Sequence, residues 1–458
     1  MHARLALPAW IQKAIAAVAF VAAALPGARA QTFEQGVGDP RIISPAGLGP
    51  SYSGLLGAGI GLVSKKPRFG LQAGEFVIQP HFFLESEYRT NFFRVDDRNG
   101  EPEGAFSLHA RPGVALFNPE FDTVAFSLGL DVDAFIPIGN DNAAKQTNAG
   151  GKAQMSVAFF PKKAFTLTLF DTFERTLWTR PQIGSNANRN HNLAGVDLGF
   201  HPGGRALDFT LGYSYDLVRY DEIAKINTDN HNVRLLASWR FYPMTYAFLE
   251  SMVTIAGYTE EPSAAEAKAT GNFVAGMPVK VYLGLSGYIT ERLAVLARAG
   301  YGNSLLDSGE NFNSFIGQLQ VSWRFGPKSI LHVGVARDFE MAPLGGFSQY
   351  FRAYTQFTQR IGELVDLNVD FAYDLRSYGL WQPAQTAGTV TIVSEPNRAE
   401  HWIRAGALVD FDISRIFGAT LGYRYDRVLS DFQIQSSGIV NFVGYEDHRL
   451  FATLNLRY

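Results

Sequence analysis

From Phe76 onward, apolar and polar side chains alternate with a period of two over segments of about 11–16 residues. In 364–376, Val365, Leu367, Val369, Phe371, Tyr373 and Leu375 fall on one face. Asp366, Asn368, Asp370, Asp374 and Arg376 fall on the other. The segment 207–220 repeats the pattern, with Leu207, Phe209, Leu211, Tyr213, Tyr215 and Leu217 opposing Asp208, Thr210, Ser214 and Asp216. Strands of soluble sheets average only about 5–6 residues, whereas a tilted membrane-crossing strand needs about 9–11. Strand length therefore favours a transmembrane sheet.

A second regularity is superimposed on the first. Phe-x-Pro occurs at Phe117-Asn118-Pro119, Phe159-Phe160-Pro161, Phe200-His201-Pro202, Phe241-Tyr242-Pro243 and Phe325-Gly326-Pro327, so the prolines are 42, 41, 41 and 84 residues apart. That spacing is one β-hairpin with its two connections, and the double gap passes a tight-turn sequence at Ile289-Thr290-Glu291. The Phe is expected in an aromatic girdle at the membrane rim, with Pro ending the strand where no ladder donor is needed. Trp239 and Trp323, two residues before Phe241 and Phe325, belong on the same outer face. The predicted girdle is Phe117, Phe159, Phe200, Trp239, Phe241, Trp323 and Phe325.

Counting such segments from 76–92 to 445–458 predicts eighteen strands, an all-β, antiparallel, up-and-down transmembrane barrel over 76–458. Short turns alternate with longer polar connections, including 136–150, 259–276, 377–399 and 432–444, as in outer-membrane barrels, whose longer loops lie outside. The last segment puts Leu450, Ala452, Leu454, Leu456 and the final Tyr458 on one face. Leu454, Leu456 and Tyr458 are the expected C-terminal signal for the barrel-assembly machinery.

The first 75 residues read differently. Arg4 and Lys13 precede the apolar run Ala14 to Leu25, and Ala28-Arg29-Ala30 offers a cleavage site ahead of Gln31, so 1–30 is an expected signal peptide. Residues 31–75, small and flexible at Gly54-Leu55-Leu56-Gly57-Ala58-Gly59-Ile60-Gly61, are an expected periplasmic lead-in that could also plug the barrel. Removing 1–30, with three Lys/Arg and no Asp/Glu, changes the net charge from -3 to -6, which argues against a nucleic-acid partner. Cysteine is absent, which excludes disulfides and thiolate metal sites. Aromatic residues reach 13 %, yet after residue 30 no apolar run approaches the length of a spanning helix, a combination that alternating strands produce. The expected location is the Gram-negative outer membrane, in contact with its lipid.

Eighteen strands enclose an aqueous channel unless something fills it. Alternation places Glu85, Glu87, Arg89, Asp131, Asp133, Arg234, Arg240, Asp338, Asp366, Asp370, Asp374, Arg404, Asp410, Arg424 and Asp426 on the inner face. A charge facing lipid at midplane costs about 2–4 kcal/mol for Arg or Lys, so these residues belong toward water. A lumen of both signs suits neutral, hydroxyl-rich polymers better than a single-sign ring that selects ions. Many of these charges are expected to pair across strands and stabilise the wall.

Enzyme signatures are missing. Gly284-Leu285-Ser286-Gly287 lacks nucleophile-elbow spacing, and neither His-Glu-x-x-His nor a phosphate-binding loop occurs. No catalytic residue, metal ligand set or cofactor is assigned. His191, His231 and His448 fall near expected extracellular strand ends, with Asp229 and Asp447 as sequence neighbours of the last two. Asp447-His448 is the pair on which a barrel hydrolase would rest.

The opening strand, Pro80-His81-Phe82-Phe83-Leu84-Glu85-Ser86-Glu87-Tyr88-Arg89-Thr90-Asn91-Phe92-Phe93-Arg94, is similar to the start of the outer-membrane β-barrel porin family associated with exopolysaccharide and capsule secretion. His201-Pro202-Gly203-Gly204-Arg205-Ala206-Leu207 to Tyr215, and Asn230-His231-Asn232 to Pro243, resemble two of its central hairpins. Members of that family carry an acidic residue before the Asn, where this chain has Thr90. The resemblance implies an export conduit for a polysaccharide, working beside a periplasmic export protein. A small-solute diffusion porin and an outer-membrane hydrolase are the alternatives.

Overall fold

The structure, a computed structural model, describes residues 71–457 apart from 74–75, 119–122, 139–142, 144–146, 177–178, 181–184, 187, 203–205, 222–226, 260–273, 343–345, 380–389, 393–397, 415 and 437–438. The expected signal peptide, nearly all of the lead-in and Tyr458 lie outside the described residues.

Eighteen strands form one closed antiparallel ring. They are β1 (Phe76–Arg89), β2 (Ala105–Phe117), β3 (Val124–Ile138), β4 (Asn148–Phe159), β5 (Phe165–Thr176) and β6 (Arg189–Phe200). Next come β7 (Leu207–Tyr220), β8 (Thr228–Tyr242), β9 (Thr245–Tyr258), β10 (Val279–Thr290), β11 (Leu293–Asn303) and β12 (Asn313–Gly326). The circuit ends with β13 (Ser329–Ala342), β14 (Gly346–Ile361), β15 (Val365–Tyr378), β16 (Ala399–Phe411), β17 (Phe417–Ser430) and β18 (Tyr445–Arg457).

Each strand pairs with the next, and β18 returns to β1 from His81↔Arg457 to Arg89↔Arg449. Closure pairs each strand on both sides and leaves no open sheet edge, which a bilayer demands. The short strand Leu71–Ala73 from the lead-in pairs with the start of β1.

The two faces follow from strand parity. Outside lie Leu130, Val132, Ile136, Leu211, Leu235, Leu283, Leu319, Val333, Phe371, Leu421 and Leu450, all exposed. Such an exterior is stable only in lipid, so this is a membrane-spanning barrel of the outer-membrane type. Turns such as 243–244, 291–292 and 327–328 close one end, where both termini of the barrel also lie. The described residues of the longer connections, including those of 90–104, 379–398 and 431–444, lie at the other. Two of these, 259–278 and 304–312, send Val274, Leu306 and Phe312 into a buried cluster with Tyr282, Ile316, Phe339 and Phe347, packing the connections onto the ends of β10 and β12–β14.

Candidate functional site

The inner face is built by inheritance of parity along each strand. Glu85, Glu87 and Arg89 share the inward phase of β1, Asp131 and Asp133 that of β3, and Arg234 and Arg240 that of β8. Asp338, Asp366, Asp370, Asp374, Arg404, Asp410, Arg424 and Asp426 take inward positions on β13 and β15–β17. A charge out of bulk water is tolerable when paired and hydrogen-bonded. The wall meets that demand through pairs between strands adjacent or next but one in the ring, including the first and last across the closing pair.

One network straddles the closing pair. Glu85, fully buried, accepts from Arg111 at 3.3 Å through both terminal nitrogens, from Arg449 at 3.3 Å and from Thr453 at 2.9 Å. Arg449 also meets Glu87 at 2.5 Å, and Arg89 donates to Asp447 at 2.8 Å. Asp133 is held by Arg111 at 3.3 Å and His109 at 3.1 Å. Arg424, Arg449 and Arg89 stand directly opposite one another on β17, β18 and β1, a costly row of like charges that the interleaved Glu85, Glu87 and Asp447 offset.

A second network centres on Asp374, also fully buried. It accepts two bonds from Arg352 at 2.7 Å and one from Arg404 at 2.8 Å, with Arg376 at 3.5 Å. Arg376 reaches on to Glu340 at 2.7 Å. A third runs from Glu250 through Arg298 and Gln318 to the Tyr354 hydroxyl, each contact between 2.9 and 3.1 Å. Smaller pairs join Arg234 to Asp197 at 3.0 Å, Arg360 to Asp366 at 2.9 Å and Thr420 to Asp410 at 2.7 Å.

Four inward rings lie along the wall rather than across the lumen, because the residue opposite each is glycine. The pairs are Phe170–Gly195, Phe248–Gly284, Tyr354–Gly334 and Phe451–Gly422. A Cβ on these glycines would sit 2.4, 2.3, 2.3 and 2.1 Å from the facing ring, distances that require the ring to move.

The expected girdle needs one correction. Phe159, Phe200, Trp239, Phe241, Trp323 and Phe325 hold outward positions near the short-turn end, and the rings of Trp239–Phe241 and Trp323–Phe325 touch at 5.6 and 5.3 Å. Phe117 instead shares the inward parity of Ser107, His109 and Arg111 and is buried. Leu454 and Leu456 face outward at the same end of the barrel.

Strand parity and register keep His191, His231 and His448 apart. Asp447 points inward to Arg89, while His448 points outward, hydrogen-bonded to the Tyr423 hydroxyl at 2.9 Å. Consecutive strand residues face opposite sides, which separates the pair. His231 is also outward, 2.8 Å from the Tyr213 hydroxyl, and Asp229 receives bonds from Tyr215 and Arg219. His191 faces inward, 3.0 Å from Asp216. Glu85, Glu87 and His109 bring three potential metal-ligand atoms within 4.8 Å of one another, but both carboxylates already hold arginines.

Parity alone could have added Arg111, Arg449, Arg352, Arg376, Glu250 and Arg298 to the lumen residues, since each shares the phase of a polar inward neighbour. Their pairing along the wall has no signal in one sequence.

No protein-family model matches the chain, and no curated protein does. Solved structures similar to it include OccK2 (OpdF) of Pseudomonas aeruginosa, at 10 % identity and TM-score 0.46 over 83 % of this chain and 98 % of that one. The outer membrane protein OpdK of the same organism follows at 11 %, 0.45, 83 % and 99 %. The siderophore receptor PirA, also from Pseudomonas aeruginosa, gives 7 %, 0.44, 83 % and 80 %.

Proposed function

We propose that this chain forms a passive outer-membrane channel for small hydrophilic solutes. The observation that carries the reading is an eighteen-strand closed barrel with an apolar exterior and an inner face of ion-paired, hydrogen-bonded side chains of both signs. Barrels of this strand number are wide enough for an aqueous path. Among the described residues, ion pairing neutralises most of the inner charges and leaves a wall of both signs, which suits solutes that carry hydroxyls or compensating charges.

The polysaccharide conduit implied by the family resemblance rests on that resemblance, and no separate geometric observation favours it. Its proposed partners, a periplasmic export protein and the polymer itself, stand on the same footing. The reading is tested with the purified full-length chain in planar bilayers and in liposomes. Discrete conductance steps, with liposome swelling that falls off as sugar size increases, are expected. Bilayers that stay silent would overturn the channel. Loss of surface polymer on gene deletion, restored by complementation, would replace small-solute diffusion by export.

A further inference from the structure

The extracellular connections at the closing pair are fastened to each other. Past the last β1–β18 ladder pair, the Thr90 amide donates to the His448 carbonyl at 3.0 Å and the Asn91 amide to Asp447 at 3.3 Å. The Asn91 side chain donates to the Glu446 carbonyl at 3.0 Å and to the Val95 carbonyl at 2.7 Å, and accepts from the Val95 amide at 2.8 Å. This turns the 90–104 connection back over β18.

Asp96 then caps a single turn, Asp97–Asn99. The Arg98 guanidinium lies 3.7 Å above the Phe442 ring and donates twice to Asp96 at 2.8 Å, to Asp431 at 3.1 Å and to the Ser430 carbonyl at 2.6 Å. The Asn99 amide donates to the Phe442 carbonyl at 2.7 Å and accepts from the Phe442 amide at 2.6 Å, as a strand neighbour would. Gly444 lets the layers close up, because a Cβ there would meet Asp96 Oδ2 at 2.5 Å and the Val428 carbonyl at 2.9 Å. Residues of the first extracellular connection thus bind both ends of the last one, more than 330 positions away.

We infer that the 90–104 connection is a clasp that locks the seam between the first and last strands from outside the membrane. Contacts of this sequence separation form after the chain ends have met, because loop closure precedes their reward. They are therefore absent from the transition state for closure, and they act on unfolding rather than on folding. The clasp needs no transport role, so it stands or falls apart from the channel.

The test follows the compact, heat-modifiable form of the full-length chain during unfolding in urea and refolding from it. Arg98→Ala/Asn99→Ala is compared with Arg175→Ala, which removes an exposed ion pair to Asp221 at the same end but away from the seam. The clasp variant is expected to unfold about tenfold faster with unchanged refolding, and the control to change by no more than about twofold. Asn99→Ala alone keeps the Arg98 ion pairs and gives an intermediate rate, so the comparison survives poor folding of the double variant. Unfolding no faster than the control, or a loss that appears mainly as slower refolding, would overturn the clasp.

Discussion

Glu85 illustrates how the wall distributes its charges. Removing one partner of a buried ionic group is destabilising because the other charges stay behind, by about 3–5 kcal/mol where nothing else compensates. Here Arg111 retains Asp133 and Arg449 retains Glu87, so Glu85→Ala is expected at the low end, about 3 kcal/mol, and Glu85→Gln at less because it keeps hydrogen-bonding capacity. The urea midpoint of the folded barrel measures both: equal midpoints for the two variants would mean that the retained hydrogen-bonding capacity contributes nothing, and a Glu85→Gln midpoint equal to that of the unmodified chain would mean that the charge contributes nothing. Gly422 makes the complementary point about space. A valine there would place its Cβ where the Phe451 ring now lies, so the ring must swing toward the lumen. Gly422→Val is expected to reduce single-channel conductance, and adding Phe451→Ala to restore it. A conductance unchanged by Gly422→Val would show that the ring does not bound the permeation path.

At the scale of strands and connections, hydrophobic alternation made the barrel legible. The strand expected over 206–220 begins one residue before β7, and 364–376 differs from β15 by one residue at its start and two at its end, because each strand carries its own inward and outward phase. Phe117 was misplaced for a related reason. The Phe-x-Pro repeat marks strand ends, but whether its Phe faces lipid depends on parity, and in β2 the polar phase of Ser107, His109 and Arg111 runs into Phe117. The lumen residues were legible for the same cause that made their partners illegible: parity is local, whereas Glu85 meets Arg449 across 364 positions. The Asp447-His448 pair failed on parity too, and His448→Ala is expected to leave conductance unaltered. The connections add a pH dependence. Hydrogen bonds from Arg98 hold Asp96 below the usual carboxylate range despite its burial, and Arg175 does the same for Asp221. A depressed folded pKa means that the stabilisation is complete above the unfolded value of about 4 and is lost as pH falls through the folded one. For Asp96 the surrounding charges are Arg98, Asp97 and, through Arg98, Asp431. Unfolding of the native barrel is therefore expected to accelerate below pH about 4, and Arg98→Ala to remove part of that acceleration.

For the molecule as a whole, the question is what a wall of paired charges does to ions. Arg352, Arg376 and Arg404 surround Asp374, and Glu340 takes one bond from Arg376, so this sector is nearly self-neutralised. The seam sector is balanced in the same way, with Glu85, Glu87, Asp133 and Asp447 facing Arg89, Arg111 and Arg449. Neutrality at this spacing means that a mobile ion senses dipoles more than a net field, since opposite charges within a few ångströms cancel beyond about one Debye length. On the proposed channel function, the unmodified barrel is accordingly expected to show a reversal potential near zero in a tenfold KCl gradient. Asp374→Asn keeps the shape of the side chain and removes the charge that offsets three arginines. Its reversal potential should move toward that of chloride, with Arg404→Gln moving it the other way. If neither substitution shifts the potential, the Asp374 sector lies outside the conducting path.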